Sequence, residues 1–236
     1  SGDQLTFLKA VHHQGTVQLE WLGTKEVPGE AVSFSKVIAF PGFALLVCSS
    51  GIYQTGPSGL TKVFAGSDIY AAEASGDKKY LLVLSGNSLL RMSVRNTGNA
   101  VKLKADAEIM LPGRDFYAIG SKDGHQIFLS AGESRILEIS TDNKNRYRID
   151  TLNISAGMGY YLISSSSGVF MVTQTGVCRY DSLTGEFQPD ENFPAIEPAR
   201  EWIYPYNVSN DGKKIRLVYR SDVNRLNNRI IEYEPG

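Results

Sequence analysis

The stretch that decides the fold is Ser75–Ser85, which reads SGDKKYLLVLS. A polar turn leads directly into an apolar run that is too short and too continuous for a surface helix. The same arrangement returns at Ser121–Ser130, SKDGHQIFLS, and at Ser209–Tyr219, SNDGKKIRLVY. We interpret each copy as a tight hairpin turn that feeds a buried β-strand, and we expect its glycine to supply a backbone conformation at positive φ.

The segments around these turns repeat as well. A second strand follows each buried strand, and a more polar third strand then suits an exposed sheet edge. The glycines taken as equivalent, Gly76, Gly124, Gly168 and Gly212, recur at intervals of 48, 44 and 44 residues. Propeller blades have periods of about 40 to 50 residues. The sequence therefore predicts an all-β chain folded as a β-propeller of four-stranded antiparallel blades.

The repeat also sets the expected number of blades. The predicted units are a partial one at 3–31, complete ones at 32–66, 67–112, 113–156 and 157–196, and a last one from 197 that lacks its outer strand. This predicts five blades, or six with an incomplete pair, in a single domain over 1–236, and an N-terminal strand could complete the last sheet. A β-sandwich is the structural alternative, but it predicts no internal repeat.

Composition excludes several classes of function. The 236 residues carry 24 Lys and Arg against 25 Asp and Glu, a net charge of -1, so nothing draws the chain to nucleic acid or to anionic lipid. No apolar run approaches the roughly 20 residues of a membrane helix, and we expect no membrane insertion. Two cysteines and three histidines exclude a disulfide scaffold and a cysteine-rich zinc module.

The residue types used in catalysis do not form a recognisable set. His12 and His13 are adjacent, so on a strand they point to opposite faces and suit a surface better than a metal site. His125 is explained by its place beside a turn glycine, and Cys48 and Cys178 are interpreted as small core residues. We predict no catalytic residue, no metal and no cofactor.

Loops between strands provide the candidate binding residues, because propeller ligands are bound at one end of the central channel. Arginine and carboxylate side chains beside an aromatic ring suit carboxylated or hydroxylated sugars, although rim salt bridges with a packed tryptophan are the alternative explanation. The predicted ligand-binding residues are Arg114, Asp115, Arg200, Glu201, Trp202, Arg220 and Asp222.

Two segments carry a resemblance to a known family. Gly51–Phe64, GIYQTGPSGLTKVF, and Gly176–Phe187, GVCRYDSLTGEF, resemble two-component-regulator propeller repeats, and Asn228–Gly236 is similar to the start of a third. That family resembles the extracytoplasmic sensor propellers of bacterial hybrid histidine kinases, especially those of gut Bacteroidetes. The resemblance implies a sensory domain for carbohydrate breakdown products in a two-component system.

We therefore expect a non-enzymatic propeller in the periplasm or elsewhere outside the cytoplasm, with a small molecule such as an oligosaccharide, or a protein, as partner. The alternative is a lactonase-like hydrolase or lyase with a metal at the channel mouth. Because Ser1–Asp3 lacks an initiator methionine and both termini fall inside a repeat unit, we also expect a segment cut from a longer protein.

Overall fold

The structure is a computed structural model that describes residues 4–13, 16–26, 34–56, 59–98, 100–131, 135–141, 146–154, 159–173, 176–193, 201–209, 211–221 and 229–234. Within these residues the regular structure consists of β-strands alone. The strands are β1 (Gln4–His13), β2 (Thr16–Glu26), β3 (Phe34–Phe40), β4 (Phe43–Cys48), β5 (Gly51–Gly56), β6 (Gly59–Ala65), β7 (Ile69–Ala74), β8 (Tyr80–Ser85), β9 (Ser88–Asn96), β10 (Val101–Met110), β11 (Phe116–Ser121), β12 (Ile127–Ala131), β13 (Arg135–Thr141), β14 (Tyr147–Asn153), β15 (Gly159–Ser165), β16 (Gly168–Thr173), β17 (Gly176–Asp181), β18 (Glu186–Pro189), β19 (Glu201–Val208), β20 (Ile215–Ser221) and β21 (Arg229–Tyr233).

Within each sheet, the strands pair antiparallel in the order in which they follow one another along the chain. Four sheets have four strands each: β3–β6, β7–β10, β11–β14 and β15–β18. A three-stranded sheet, β19–β21, follows them, and β1 and β2 form a separate two-stranded hairpin. The prediction of an all-β chain with four-stranded antiparallel blades is confirmed.

The predicted repeat boundaries match these sheets. Each complete unit, 32–66, 67–112, 113–156 and 157–196, contains one four-stranded sheet, and the unit from 197 contains the sheet without an outer strand. The idea that an N-terminal strand completes that last sheet is wrong for the described residues. There, β1 pairs with β2, and β21 pairs with β20.

The core lies between successive sheets. In β8, Leu81 and Val83 pack toward the β3–β6 sheet, whereas Leu82 and Leu84 pack toward the β11–β14 sheet. Alternate side chains of a strand point to opposite faces, so β8 reads as one continuous apolar run because both of its faces are covered. Phe128 continues the series by packing from β12 against the β15–β18 sheet. Each of these sheets therefore packs against the next sheet along the chain. This is the propeller arrangement, and it excludes a sandwich of two layers.

A repeated turn joins the first and second strands of a blade. The carboxylate of Asp77 accepts a hydrogen bond from the backbone N–H of Lys79, at 3.1 Å. Asp123 and Asp211 each accept the N–H of the residue two positions later in the same way, at 2.9 and 3.1 Å. These hydrogen bonds identify the three aspartates as turn residues.

The glycines of these turns are not all equivalent. Gly124 and Gly212 have φ values of +75° and +76°, as expected for a turn glycine. In the first copy that position is held by Lys78, at φ +59°, and Gly76 is not at positive φ. The alignment of Gly76 with Gly124 was therefore wrong by two residues, although it placed the turn correctly.

Candidate functional site

A cavity of about 1000 Å³ lies at the centre of the propeller. Its wall consists mainly of the first strands of five successive sheets, β3, β7, β11, β15 and β19. Small-molecule sites typically enclose about 300 to 1,000 Å³. The cavity is therefore large enough for a ligand of several rings.

The floor of the cavity is built by the repeated turns, which bond to one another around the axis. The backbone N–H of Gly76 donates to the carbonyl of Ser121, at 2.9 Å, and that of Ser166 donates to the carbonyl of Gly212, also at 2.9 Å. The hydroxyl of Ser164 accepts the N–H of Ser121 at 3.0 Å. Turns from four sheets are thus joined at one end of the channel.

Two glycines permit this close approach. A Cβ added to Gly76 would overlap the carbonyl group of Ser165, and one added to Gly212 would overlap the carbonyl oxygen of Gly76. The serine-rich segment from Ser164 belongs to this floor. Ser165 is buried and donates its hydroxyl to the carbonyl of Gly212 at 2.8 Å.

The opposite end of the cavity is lined by tyrosines. The pairing of β7 with β8 skips Tyr70, and the pairing of β11 with β12 skips Tyr117, so each is the extra residue of a β-bulge. Bulges redirect a side chain, and these two line the cavity together with Tyr161 of β15. Tyr117 and Tyr161 are 46% and 39% exposed, so solvent reaches this mouth.

Tyr70 is unusual among these residues. Its hydroxyl oxygen is buried and has no hydrogen-bond partner among the described residues. Burial raises its pKa; Arg114 opposes that rise, while Asp115 and Asp68 add to it. A buried hydroxyl without a partner costs about 1 to 3 kcal/mol. Tyr70 therefore keeps an unsatisfied hydroxyl group just behind the surface of the mouth.

The rim above Tyr70 holds two of the predicted binding residues. Arg114 forms an ion pair with Asp68, from the loop before β7. Asp115 accepts a hydrogen bond from Arg135, at the start of β13, at 2.8 Å. All four side chains are about half exposed, and such pairs contribute little to stability. These side chains can therefore give up their ion pairs and bind a ligand instead at a small cost in free energy.

Three of the other predicted binding residues belong to the last sheet. Glu201 and Trp202 begin β19, and the strand register places Trp202 opposite Arg220 of β20. Arg220 is exposed. Arg200 and Asp222 lie outside the described residues. The structure thus places Trp202 and Arg220 opposite each other on one hairpin. The β15–β18 sheet lies between this hairpin and the β11–β14 sheet, which Asp115 precedes.

Charged side chains line the lower part of the cavity. Lys36 of β3 forms an ion pair with Glu73 of β7. Lys214 and Arg216 both bind Glu232 of β21, at 2.8 Å each, and these hydrogen bonds hold the pKa of Glu232 below its ordinary value. The cavity therefore combines an aromatic mouth with an ionic interior.

Neither the two cysteines nor His125 lines this cavity. Cys48 and Cys178 are free thiols buried in hydrophobic clusters, and burial raises the pKa of Cys48 to about 11. The ring of His125 lies edge-on to Tyr80, outside the cavity lining. In the part of the chain that the structure describes, no three His, Cys, Asp or Glu side chains lie close enough to share a metal ion. No helix among those residues could cross a membrane.

Sequence reasoning looked to the loops and missed the cavity wall. A repeated sequence pattern could have identified the residues at the mouth of the cavity. It consists of the triplets Asp68–Tyr70, DIY, and Asp115–Tyr117, DFY, each at the start of the first strand of a sheet. In both triplets the aspartate joins the rim ion pairs and the tyrosine occupies the bulge. Lys78 could not be identified from the sequence. The alignment of Gly76 with Gly124 hid the fact that Lys78 occupies the turn position that is glycine in the other copies.

Comparison with known proteins supports the fold. No family model and no curated protein matches the chain. Among solved structures, a functionally unknown protein from Desulfotomaculum acetoxidans is similar with a TM-score of 0.59 and 13% identity, over 99% of this chain and 83% of that one. A putative 6-phosphogluconolactonase from Bacteroides uniformis is similar with a TM-score of 0.52 and 16% identity, over 98% and 78%.

The extracellular domain of a putative hybrid two component system from B. thetaiotaomicron is also similar. Its TM-score is 0.50 and its identity 12%, over 98% of this chain and 30% of that longer one. The predicted resemblance to the propellers of such sensors is confirmed at the level of the fold. Fold and cavity together define this chain as a β-propeller with a central, tyrosine-lined pocket.

Proposed function

We propose that this chain is a non-enzymatic recognition propeller that binds a small molecule of the oligosaccharide class in its central cavity. The observation that carries the proposal is a cavity of about 1000 Å³ with turns bonded across one end and tyrosines at the other. Tyrosine offers both a ring face and a hydroxyl, which suits the apolar faces and hydroxyl groups of sugars.

The predicted rim residues belong to the same proposal. Arg114 and Asp115 would contact the ligand from above Tyr70, using a guanidinium fork and a carboxylate that are already at the mouth. We assign a second set of ligand contacts to the remaining predicted residues: Arg200, Glu201, Trp202, Arg220 and Asp222.

We also propose five blades, formed by β3–β6, β7–β10, β11–β14, β15–β18 and β19–β21. The support is that residues of all five sheets line one cavity. In this proposal the chain is the sensing module of an extracytoplasmic receptor of the two-component type, and a signalling domain elsewhere would use its occupancy. Electron density showing a sixth sheet around the same axis would contradict the blade number.

The binding proposal is tested with a panel of neutral and acidic oligosaccharides, using the thermal unfolding midpoint and calorimetric titration. At least one sugar should raise the midpoint, since a ligand at 100 times its Kd stabilises by about 2.7 kcal/mol. Replacing Tyr117 or Tyr161 with alanine should then weaken binding about tenfold, which corresponds to losing roughly 1.4 kcal/mol of contact with a ring.

The matched control is Leu183→Ala, since Leu183 is 93% exposed and lies outside the cavity lining. It should bind the sugar as the unaltered chain does. Equal binding by all three variants would place the ligand elsewhere. The enzymatic alternative is tested in the same preparation, because chelator-sensitive hydrolysis of 6-phosphogluconolactone would contradict a purely binding role.

Tyr70→Phe is expected to be neutral or stabilising and to leave sugar binding unchanged. Removing a buried hydroxyl that has no partner should leave the free energy of unfolding unchanged or raise it by about 1 kcal/mol. Sugar binding should stay unchanged, because the buried hydroxyl lies out of reach of a ligand in the cavity. The comparison is denaturant unfolding beside calorimetric titration, and a destabilised variant would show that the hydroxyl has a structural partner.

A further inference from the structure

Lys78 has a backbone conformation that its residue type disfavours. Two described non-glycine residues have positive φ, Asp68 at +57° and Lys78 at +59°. Aspartate enters the left-handed region several times more readily than most residues do, whereas lysine gains nothing there. In the equivalent turns the position is glycine, at Gly124 and Gly212. Glycine at this position would relieve the backbone strain, so the presence of lysine indicates that its side chain has a use.

The side chain of Lys78 lines the central cavity just above the floor. Its ammonium group forms no hydrogen bond or ion pair with the residues that the structure describes. The carboxylate of Glu73, near the end of β7, is bound to Lys36. Asp211, across the floor, uses its carboxylate to accept the N–H of Lys213 within its own turn. The cation is therefore held in the cavity without a committed partner.

The cavity lining itself carries more cationic than anionic side chains. Four described cations line the cavity, Lys36, Lys78, Lys214 and Arg216, together with two carboxylates, Glu73 and Asp211. Glu232 supplies a third carboxylate by binding Lys214 and Arg216. A half-buried cation favours an anionic partner, because the interior screens the attraction less than water does.

We propose that Lys78 is a ligand-binding residue that receives a carboxylate, so that the propeller recognises acidic sugars of the uronic acid type. This inference rests on the proposed function and specifies its ligand. The single ammonium group of Lys78 matches a carboxylate, whereas a phosphate monoester carries about −1.5 to −2 charges at neutral pH. The sugar rings would then extend from Lys78 toward Tyr117 and Tyr161 at the mouth.

The test uses D-glucuronate, its neutral methyl ester and D-glucose as probes. Lysines of the whole chain are labelled by reductive ¹³C-methylation, which keeps their charge, and the Lys78 signal is identified by its loss in Lys78→Met. Glucuronate should shift that signal saturably, at about a tenfold lower concentration than the two neutral probes do, as expected for one charge-assisted hydrogen bond. The effect should fade as pH rises, and at a lower pH than for an exposed amine, since burial lowers the pKa of Lys78.

The matched control is the adjacent Lys79, which is exposed, pairs with Asp77 and lies outside the cavity lining. Its signal should not respond to glucuronate beyond the effect of ionic strength, and Lys79→Met should bind acidic sugars normally. Lys78→Gly suits the left-handed backbone, so this variant should fold and lose the preference for the acidic probe. Lys78→Arg should keep that preference.

Two results would overturn the inference. If the Lys78 signal responds to glucuronate no more than that of Lys79, the lysine does not receive the carboxylate. If neutral sugars bind with the Tyr117 dependence described above and Lys78→Met binds every sugar unchanged, the recognition function stands and its acidic specificity is wrong. If no sugar in the panel binds, the proposed function itself is refuted, and this inference with it.

Discussion

Replacing Gly76 with alanine is expected to lower the free energy of unfolding by about 3 kcal/mol or more. The added methyl group would overlap the carbonyl carbon and oxygen of Ser165, which are backbone atoms and cannot rotate away. The turn would have to move, and it would lose the bond from its N–H to the carbonyl of Ser121. The thermal midpoint should fall by about 6 to 12 °C, given roughly 2 to 4 °C per kcal/mol at this chain length.

Gly98→Ala is the matched control for this substitution. Gly98 has φ +87°, and a Cβ there would meet nothing within 4 Å, so the variant has backbone strain without overlap. That strain costs about 1 to 2 kcal/mol. Gly76 is not at positive φ, so its variant has overlap without strain. If Gly76→Ala costs no more than Gly98→Ala, the turns do not meet at the floor.

Phe128→Ala should produce the other large loss of stability, about 3 to 5 kcal/mol. Phe128 is fully buried between the β11–β14 and β15–β18 sheets. Its ring centroid lies 4.5 Å from that of Tyr180 and 5.4 Å from that of Phe187. The alanine variant would leave a cavity at the junction of two blades, which denaturant unfolding would measure as a lower free energy.

Leu183→Ala controls for the loss of an apolar side chain, since Leu183 is on the surface in the turn between β17 and β18. It should change stability by no more than about 0.5 kcal/mol. If Phe128→Ala behaves in the same way, the two sheets do not share a core at this position, and the radial packing of the blades is wrong.

The blades could be predicted because their determinants are local. The turn at Ser75–Lys79 holds its shape through bonds between residues two to five positions apart, and those residues recur in the chain. The continuous apolar run of β8 indicates, from the sequence alone, that both faces of this strand are buried. Short-range turn chemistry and strand burial were therefore enough to place four complete sheets and one incomplete sheet.

The cavity could not be predicted because tertiary contacts create it. Gly76 faces Ser165, which is distant in sequence, so its need for a missing Cβ is invisible in the turn itself. The bulges that redirect Tyr70 and Tyr117 depend on strand register. Arg114 and Asp115 were identified from residue type, and the structure adds their partners, Asp68 and Arg135. Their role in binding stays a prediction.

The most direct test of the account is a crystal structure of the chain with the panel sugar that binds most tightly. The account predicts density inside the central cavity, with a sugar ring against Tyr117 or Tyr161 and an acidic group within hydrogen-bond distance of the Lys78 ammonium. Density confined to an outer surface of the blades, with an empty cavity and the same affinity in solution, would contradict it.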